Sequence, residues 1–315
     1  MNGVRIIGSG SALPQRIITN DELSQTIETS DEWIASRTGI RQRRVITSDQ
    51  ESLASLATVA GKQAIAMAGI EAEDLDLIIL ATSSPDDLFG SAAQVQYLLG
   101  AEKAVAFDLS AACSGFVFGL VTASQFIQTG TYRNILLIGA DVLSRWVDWS
   151  DRRTCILFGD GAGAVVLQAS EQKYLLGFEL RSDGKGNPLL NLSHGSTGYE
   201  HITMNGGEVY RFAVKSVPEV LDKALFRANL TVGDIDWLIL HQANQRILDA
   251  VQSRMGFAPE KVITNLSNYG NTSAASIPLA LDESVRSYKI KTSDTIAISG
   301  FGAGLSWGAA VFKWG

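Results

Sequence analysis

Two stretches that resemble each other decide the fold: Glu73-Asp-Leu-Asp-Leu-Ile-Ile-Leu-Ala81 and Gly233-Asp-Ile-Asp-Trp-Leu-Ile-Leu-His241. They lie 160 residues apart in a chain of 315, and each joins a short acidic turn to an unbroken apolar run. Such a run is typical of a strand that is covered on both faces by other elements. The pair therefore predicts that the chain contains two related α/β halves.

Further pairs of segments recur in the same order at nearly the same spacing. They are the strand-like segments 134–139 with 295–300 and 163–167 with 308–312, and the helical stretches 116–128 with 277–287. One match between short apolar segments is weak, whereas several matches in one order are much stronger. We therefore predict an α/β fold of two duplicated halves, residues 1–170 and 171–315.

The composition limits the class of protein. Hydrophobic residues make up 46% of the chain and charged residues 19%, which excludes disorder and fits a well-buried globular protein. A formal net charge of -7 argues against non-specific nucleic-acid binding. Two cysteines are too few for a disulfide framework, and the first residues lack the apolar core of a secretion signal. These features predict a cytoplasmic protein.

One uncharged segment, residues 109–132, is long enough to cross a bilayer. Serine, threonine and glutamine residues are scattered through it, and in lipid their polar groups would lack partners. We interpret the segment as a helix buried inside a globular core, and we expect no contact with a membrane.

Cys113 is the first candidate for chemistry. It lies in Ser110-Ala-Ala-Cys-Ser-Gly115, at the N-terminal end of the uncharged helix. Unpaired backbone N–H groups and the helix dipole stabilise a thiolate at such a position, which favours a nucleophile. The alternative is a buried structural thiol. Cys155 lies in an apolar run, and there the structural interpretation is the better one.

His241 and Asn271 are the other candidates. His241 ends a core strand, where open α/β sheets place their ligands, and Asn271 precedes the helix that corresponds to the one after Cys113. Taken singly, the histidine could be a satisfied core residue and the asparagine a helix cap. Together, the three residues occupy loops that converge around a pseudo-twofold axis. His194 and His201 lie in a loop rich in glycine, serine and asparagine and are interpreted as loop residues.

Motifs for other chemistries are incomplete. Gly159-Asp-Gly-Ala-Gly163 lacks the spacing of a dinucleotide-binding loop and precedes a strand. The sequence has no Walker lysine pattern and no pair of histidines or cysteines with zinc-ligand spacing. We therefore expect no metal site.

Six ordered blocks resemble the β-ketoacyl-acyl carrier protein synthase III family, the initiating condensing enzymes of type II fatty-acid synthesis. The blocks are DEWIASRTGIR (31–41), AACSG (111–115), FGDGAG (158–163), HQANQR (241–246), GNTSAAS (270–276) and FGAG (301–304). The resemblance covers essentially the whole chain. It implies a thiolase-like fold in an α-β-α-β-α arrangement and a homodimer. It also implies an acyltransferase that needs no cofactor, since the CoA thioester is a substrate.

The resemblance also implies the roles of the three candidates. Cys113 takes an acyl group, acetyl by default, from acyl-CoA. Malonyl on acyl carrier protein then loses CO2, and its carbanion attacks the new thioester. His241 and Asn271 donate hydrogen bonds to the malonyl thioester oxygen as enolate charge develops. The backbone N–H groups of Cys113 and Ala303 form an oxyanion hole, provided that Ala303 does not need a positive φ.

Further residues match the family's binding positions. For CoA they are Trp33 and Arg152 around adenine, Arg37 on a phosphate, and Gly206, Tyr210, Ala243 and Asn244 along the pantetheine. For the acyl pocket they are Leu143, Phe158, Phe301 and Phe89, the last from a loop that reaches across the dimer. For the carrier protein they are Arg211, Gln242, Ala243, Asn244, Gln245, Arg246 and Arg254.

Alternative interpretations remain open at this point. Trp33 could be a surface aromatic, and the arginines could be ordinary solvated charges. The chain could be a related condensing or acyl-transfer enzyme of polyketide or other secondary metabolism. It could also be a thiol hydrolase or a scaffold without activity.

Overall fold

The computed structural model describes residues 3–48, 50–196 and 198–315. Its strands are β1 Gly3–Ala12, β2 Arg16–Thr19, β3 Gln42–Val45, β4 Leu77–Ala81, β5 Val105–Leu109, β6 Asn134–Asp141, β7 Gly161–Ser170, β8 Leu175–Ser182, β9 Leu190–Asn191, β10 His194–Gly195, β11 Gly198–Tyr199, β12 Thr203–Met204, β13 Trp237–Leu240, β14 Val262–Ile263, β15 Thr295–Gly302 and β16 Ser306–Lys313. Its α-helices are α1 Asn20–Leu23, α2 Asp31–Thr38, α3 Leu53–Ala68, α4 Ala92–Leu99, α5 Gly115–Gln128, α6 Gly206–Ala228, α7 Gln245–Met255, α8 Leu266–Tyr269 and α9 Ser276–Arg286.

Two five-stranded sheets repeat one topology within the described residues. The first has the strand order β1-β7-β6-β4-β5, and the second has the order β8-β16-β15-β13-β14. In each sheet the first two pairings are antiparallel and the last two are parallel. The duplication that the 160-residue repeat predicts is therefore present. The boundary between residues 170 and 171 stays a prediction, and it falls between β7 and β8.

Helices form three layers around the two sheets. α3 and α4 pack on the first sheet, α6 packs on the second with α7 beside it, and α5 and α9 contact strands of both sheets. This is the α-β-α-β-α order that the sequence predicts. β4 and β6 are buried along their whole length because helices cover both faces of the sheet, which explains their unbroken apolar runs.

The uncharged segment forms α5, which lies between the two sheets. Most of its side chains are buried, and its hydroxyl groups bond to carbonyl oxygens of its own helix, as Thr122 does to Phe118 and Ser124 to Val121. The prediction of a buried helix is confirmed. Across the part of the chain that the structure describes, no helix has both the length and the apolar character that a membrane crossing requires.

Candidate active site

Two tight turns meet between the halves, one from each. The turn Ala112–Ser114 leads into α5, the turn Ser273–Ala275 leads into α9, and the two turns contact each other. Ala112 has a φ of 46° and Ser273, at the corresponding position 161 residues later, has a φ of 52°. This conformation is unfavourable for residues other than glycine. Such strain persists only where the surrounding structure holds the backbone, and it is concentrated at functional sites.

Cys113 is the middle residue of the first turn, and its thiol is buried. Burial raises the pKa of the thiol to about 12, a hydrogen bond from Ser273 lowers it, and the negative charge of Asp141 raises it. The expectation that the helix N-terminus holds a thiolate is wrong for the resting site. Loss of hydration outweighs the helix terminus, so Cys113 is a neutral thiol near pH 7.

His241 directly follows β13, and its backbone N–H donates to Ser299 in β15. The imidazole is buried, and burial alone lowers its pKa to about 3, so the ring is neutral at physiological pH. Its Nδ1 lies 2.7 Å from the hydroxyl oxygen of Ser276 at the start of α9. The ring of Phe301 packs edge-on against it, with centroids 5.3 Å apart. These contacts fix the orientation of the ring.

Asn271 lies on the loop before the second turn. Its backbone N–H donates to Leu157, and its carbonyl oxygen accepts from Gly159, which ties the loop to the first half of the chain. The side-chain Oδ1 accepts a hydrogen bond of 2.9 Å from the N–H of Ser273. Because the oxygen end is engaged, the amide group of Asn271 is left as a donor toward the cavity.

Cys113, His241 and Asn271 line one tunnel of about 100 Å³. The structure therefore brings together the three residues that the sequence selects from two halves. The four residues predicted along the pantetheine and one predicted in the acyl pocket line the same tunnel: Gly206, Tyr210, Ala243, Asn244 and Phe301.

A second cavity, of about 330 Å³, opens on the other side of Cys113. Leu143 and Phe158 line it, as predicted for the acyl pocket. Sequence reasoning missed much of its apolar lining, which comes from the region between β8 and α6 and from a 3-10 turn: Trp146, Leu190, Leu192, Tyr199 and Ile202. The only signal for these residues was a few apolar side chains in a stretch otherwise rich in glycine, serine and asparagine.

Two predicted acyl-pocket residues lie elsewhere. Phe301 packs against His241 and faces the tunnel. The side chain of Phe89 is 97% exposed, so it does not line the cavity of its own chain. Leu88, its neighbour, lines the mouth of that cavity.

The predicted adenine site lies on α2. Ser30 caps this helix, which places Trp33 and Arg37 one turn apart on the same side. The guanidinium groups of Arg37 and Arg152 each lie 4.7 Å from the centre of the Trp33 ring, and Arg152 also donates to the carbonyl of Glu28. This spacing leaves no room for a base between Trp33 and Arg152. An adenine sandwich therefore requires Arg152 to move.

The start of α7 separates two predictions about the carrier-protein surface. Asn244 caps the helix through the N–H of Arg246 and donates to the carbonyl of Arg37, which links α7 to α2. Gln242 is 1% exposed, and its amide group donates to Leu240 while its oxygen accepts from Asn265. Gln242 therefore cannot contact a carrier protein, and its assignment to that surface is wrong. Its polar atoms are used inside the protein.

The exposed arginines lie where α6 meets α7 at the tunnel mouth. The guanidinium of Arg246 is 5.9 Å from the ring centre of Tyr210, a tunnel residue. Arg211 forms an ion pair with Glu208 in the same helix, and Arg254 donates to the carbonyl of Val214. Ala243 and Gln245 are half-buried beside them.

The loop of the proposed oxyanion hole lies against Cys113. A Cβ atom added at Gly302 would be 2.7 Å from the Cys113 backbone nitrogen, so only glycine allows this approach. Ala303 lines the cavity with Cys113 and does not have a positive φ. Alanine at this position is therefore compatible with the backbone conformation.

Two family models match the chain. Residues 107–184 match 3-oxoacyl-[acyl-carrier-protein] synthase III, and residues 225–314 match the C-terminal part of 3-oxoacyl-[acyl-carrier-protein] synthase III. The chain is 66% identical to the beta-ketoacyl-[acyl-carrier-protein] synthase III of Nostoc sp., a match that covers 99% of this chain and 98% of that protein.

Solved structures agree with these matches. A 3-oxoacyl-[acyl-carrier-protein] synthase III from Aquifex aeolicus is 44% identical and superposes with a TM-score of 0.95, over 99% of this chain and 100% of that one. A priming β-ketosynthase of a polyketide biosynthetic pathway is 34% identical with the same TM-score, over 99% and 96% of the two chains. The predicted thiolase-like fold of duplicated halves is confirmed.

Proposed function

Because the chain belongs to the β-ketoacyl-[acyl-carrier-protein] synthase III family, we propose that Cys113, His241 and Asn271 divide its two half-reactions between them. The chain is an acyl-transferring enzyme. It condenses an acyl-CoA primer with malonyl-acyl carrier protein, giving 3-oxoacyl-acyl carrier protein, CO2 and CoA. The observation that supports the division of labour is the single tunnel on which the three side chains converge.

In the first half-reaction, the Cys113 sulfur attacks the carbonyl carbon of the primer. A carbon–sulfur bond forms to Cys113, the bond to the CoA sulfur breaks, and the thiol proton leaves with CoA. The backbone N–H groups of Cys113 and Ala303 are the proposed donors to the oxygen as its negative charge develops. The close packing of Gly302 on Cys113 supports this assignment, because it holds the loop beside the nucleophile.

In the second half-reaction, the malonyl group loses CO2 and its thioester becomes an enolate. His241 and Asn271 donate to the enolate oxygen, and the carbanion attacks the acyl group on Cys113, whose sulfur then leaves. Asn271 has its Oδ1 occupied by the Ser273 N–H, which leaves the amide protons available. A preorganised pair of donors in a buried site favours the charge that develops in this step.

The protonation state of His241 suits a donor. A neutral imidazole carries one proton, so the ring donates from Nε2 only when Nδ1 accepts. The Ser276 hydroxyl accepts from the N–H of Gln242, and its own proton is then directed to Nδ1. We assign the histidine proton to Nε2, which is the nitrogen left for the substrate.

The proposed primer is acetyl-CoA, bound with its acyl group in the apolar cavity beside Cys113. Intact-mass spectrometry after incubation with CoA thioesters of graded length tests both the nucleophile and the primer. We expect one acyl group per chain, formed fastest from acetyl-CoA and discharged by malonyl-acyl carrier protein with release of CO2. An enzyme that forms no adduct with any of these thioesters does not use the proposed mechanism.

The alternative of secondary metabolism is not favoured. Relatives that are 61–66% identical bear the synthase III name, whereas the polyketide priming enzyme is 34% identical. We also propose a cytoplasmic location without a cofactor. The free thiols of Cys113 and Cys155 fit a reducing compartment, and decarboxylation supplies the carbanion without a cofactor.

We propose that the enzyme is a homodimer and that the partner subunit's Phe89 closes the acyl cavity. Exposed apolar side chains cluster in one part of the chain, from the loop before α4 to the start of β5, an edge strand of the first sheet. Exposed edge strands and apolar patches of this kind favour association. The cluster contains Leu88, Phe89, Tyr97, Leu98 and Val105.

Phe89→Ala is expected to slow acylation by acetyl-CoA several-fold, because water enters the open cavity. Malonyl decarboxylation should change little, since His241 and Asn271 lie in the tunnel. Light scattering should give twice the mass of one chain. Phe226→Ala, which removes an equally exposed phenylalanine far from this cluster, is the control. A fully active monomer would rule out the proposal.

We propose that acyl carrier protein docks on the arginines at the tunnel mouth. Both proteins are acidic, so overall charge repels them, and a local basic surface has to attract the carrier. Arg246→Glu is expected to raise the KM for malonyl-acyl carrier protein several-fold while leaving acylation by acetyl-CoA unchanged. Added salt should reduce the defect, because exposed charges are screened over ~8–10 Å.

Lys223→Glu is the matched control, because it reverses an exposed charge on α6 about 18 Å along the helix from Arg211. It should leave the KM for the carrier unchanged. An equal defect in both variants would assign the effect to net charge. An equal defect in acylation would place the carrier's docking site elsewhere.

A further inference from the structure

Ser273 contacts two of the three proposed catalytic residues. Its hydroxyl donates to the Cys113 sulfur over 3.3 Å, and its backbone N–H donates to Oδ1 of Asn271 over 2.9 Å. The side chain is buried, so water does not compete for either contact. The positive φ of 52° allows both groups to point to their partners from one residue. Sequence reasoning assigned no role to this serine.

A buried carboxylate anchors the turn from behind. Asp141, at the end of β6, accepts from the N–H of Ala274, which ties the second turn to the first sheet. Its other oxygen accepts from Thr82, Ser83 and Ser84 over 2.8–3.1 Å. Burial raises the pKa of Asp141, whereas hydrogen bonds, first among them one from Ser273, lower it. The position of Ser273 is thus held by both halves.

We propose that Ser273 is a fourth catalytic residue, whose hydroxyl stabilises the Cys113 sulfur whenever that sulfur carries negative charge. This occurs as the thiol attacks the primer and again as the sulfur leaves in the condensation. Its N–H at the same time fixes the carboxamide of Asn271 for the decarboxylation. The inference rests on the proposed role of Cys113 as the nucleophile.

The surroundings of Cys113 explain why such a donor is needed. The charged or titratable groups that face the thiol are Asp141, from β6, and His241, which lines the same tunnel. Asp141 disfavours a second negative charge, and the neutral histidine offers no cation. The turn at 273–275 and the segment at 300–302 contribute no ionisable side chain. The Ser273 hydroxyl is the side-chain hydrogen-bond donor to the sulfur.

The test is the rate at which iodoacetamide alkylates Cys113 as a function of pH. A hydrogen bond to a charged group is among the stronger ones, so its loss in Ser273→Ala should slow alkylation at pH 8 by about tenfold. The midpoint of the pH profile should rise by about one unit. Ser273→Gly should show the same shift, although glycine relieves the strain at a positive φ.

Ser114→Ala is the control, because this buried serine adjoins Cys113 but bonds to Ala111 and Ser306 instead of the sulfur. Its pH midpoint should match that of the wild type. Thermal unfolding identifies which Ser273 variant is folded, and the glycine variant supplies the result if alanine is not tolerated. An unshifted midpoint in a folded variant overturns the inference. Failure of the wild-type enzyme to acquire an acyl group would instead overturn the role of Cys113.

Discussion

Cys113→Ala is expected to lose all acyl transfer from acyl-CoA and to keep malonyl decarboxylation. Alanine has no nucleophile, so the covalent intermediate cannot form. His241 and Asn271 remain in the tunnel, and they stabilise the enolate whether or not an acyl group is present. Intact mass should show no adduct, while CO2 release from malonyl-acyl carrier protein continues at a measurable fraction of the wild-type rate.

Cys155→Ala is the matched control. This cysteine is buried at the end of a different segment, and burial raises its pKa to about 11, which makes it a poor nucleophile. The variant should acylate normally, with some loss of stability from the small cavity left by the sulfur. If Cys113→Ala lost both half-reactions equally, the assignment of separate roles would be wrong.

The second large effect is expected from His241→Ala and Asn271→Ala. Each removes one of two donors to the enolate, and loss of one such donor costs a factor of about 10²–10³ in rate. CO2 release should fall by that factor, while the acyl-enzyme still forms on Cys113. His201→Ala, which changes an exposed histidine in a loop, should affect neither half-reaction.

The pH dependence of decarboxylation distinguishes donor from acid. The pKa of His241 is lowered to about 3, so the neutral ring predominates above that pH. In Cys113→Ala, which has no active-site thiol to titrate, CO2 release should stay constant between about pH 5 and 8. A fall in activity centred near the usual pKa of histidine would show that the ring is not desolvated. A rise toward low pH would show that the imidazolium is the active form.

The sequence identifies the fold from the repeated apolar segments 73–81 and 233–241. Their pattern is local: an unbroken apolar run requires helices on both faces, and recurrence at one spacing requires two similar sheets. Each sheet places the end of its third or fourth strand and the following turn near the other half. Cys113, His241 and Asn271 could therefore be selected before any coordinates were considered.

The direction of each side chain depends on packing between distant segments. Gln242 is next to His241 in sequence, yet it bonds inside the protein, because α7 turns away from the strand after it. Phe301 faces the histidine, whereas residues from a loop of no regular pattern line the acyl cavity. No local rule distinguishes these outcomes, since each needs the position of a neighbour from another part of the chain.

The sequence by itself thus determined the duplicated α/β architecture and the three residue types at its centre, because periodicity and spacing are properties of the chain. Only the tertiary structure decided that Cys113 rests as a thiol and that Ser273 donates to it. Both follow from burial and from a contact between residues 160 positions apart. Desolvation depends on everything packed around a group, so a helix terminus visible in sequence could not settle it.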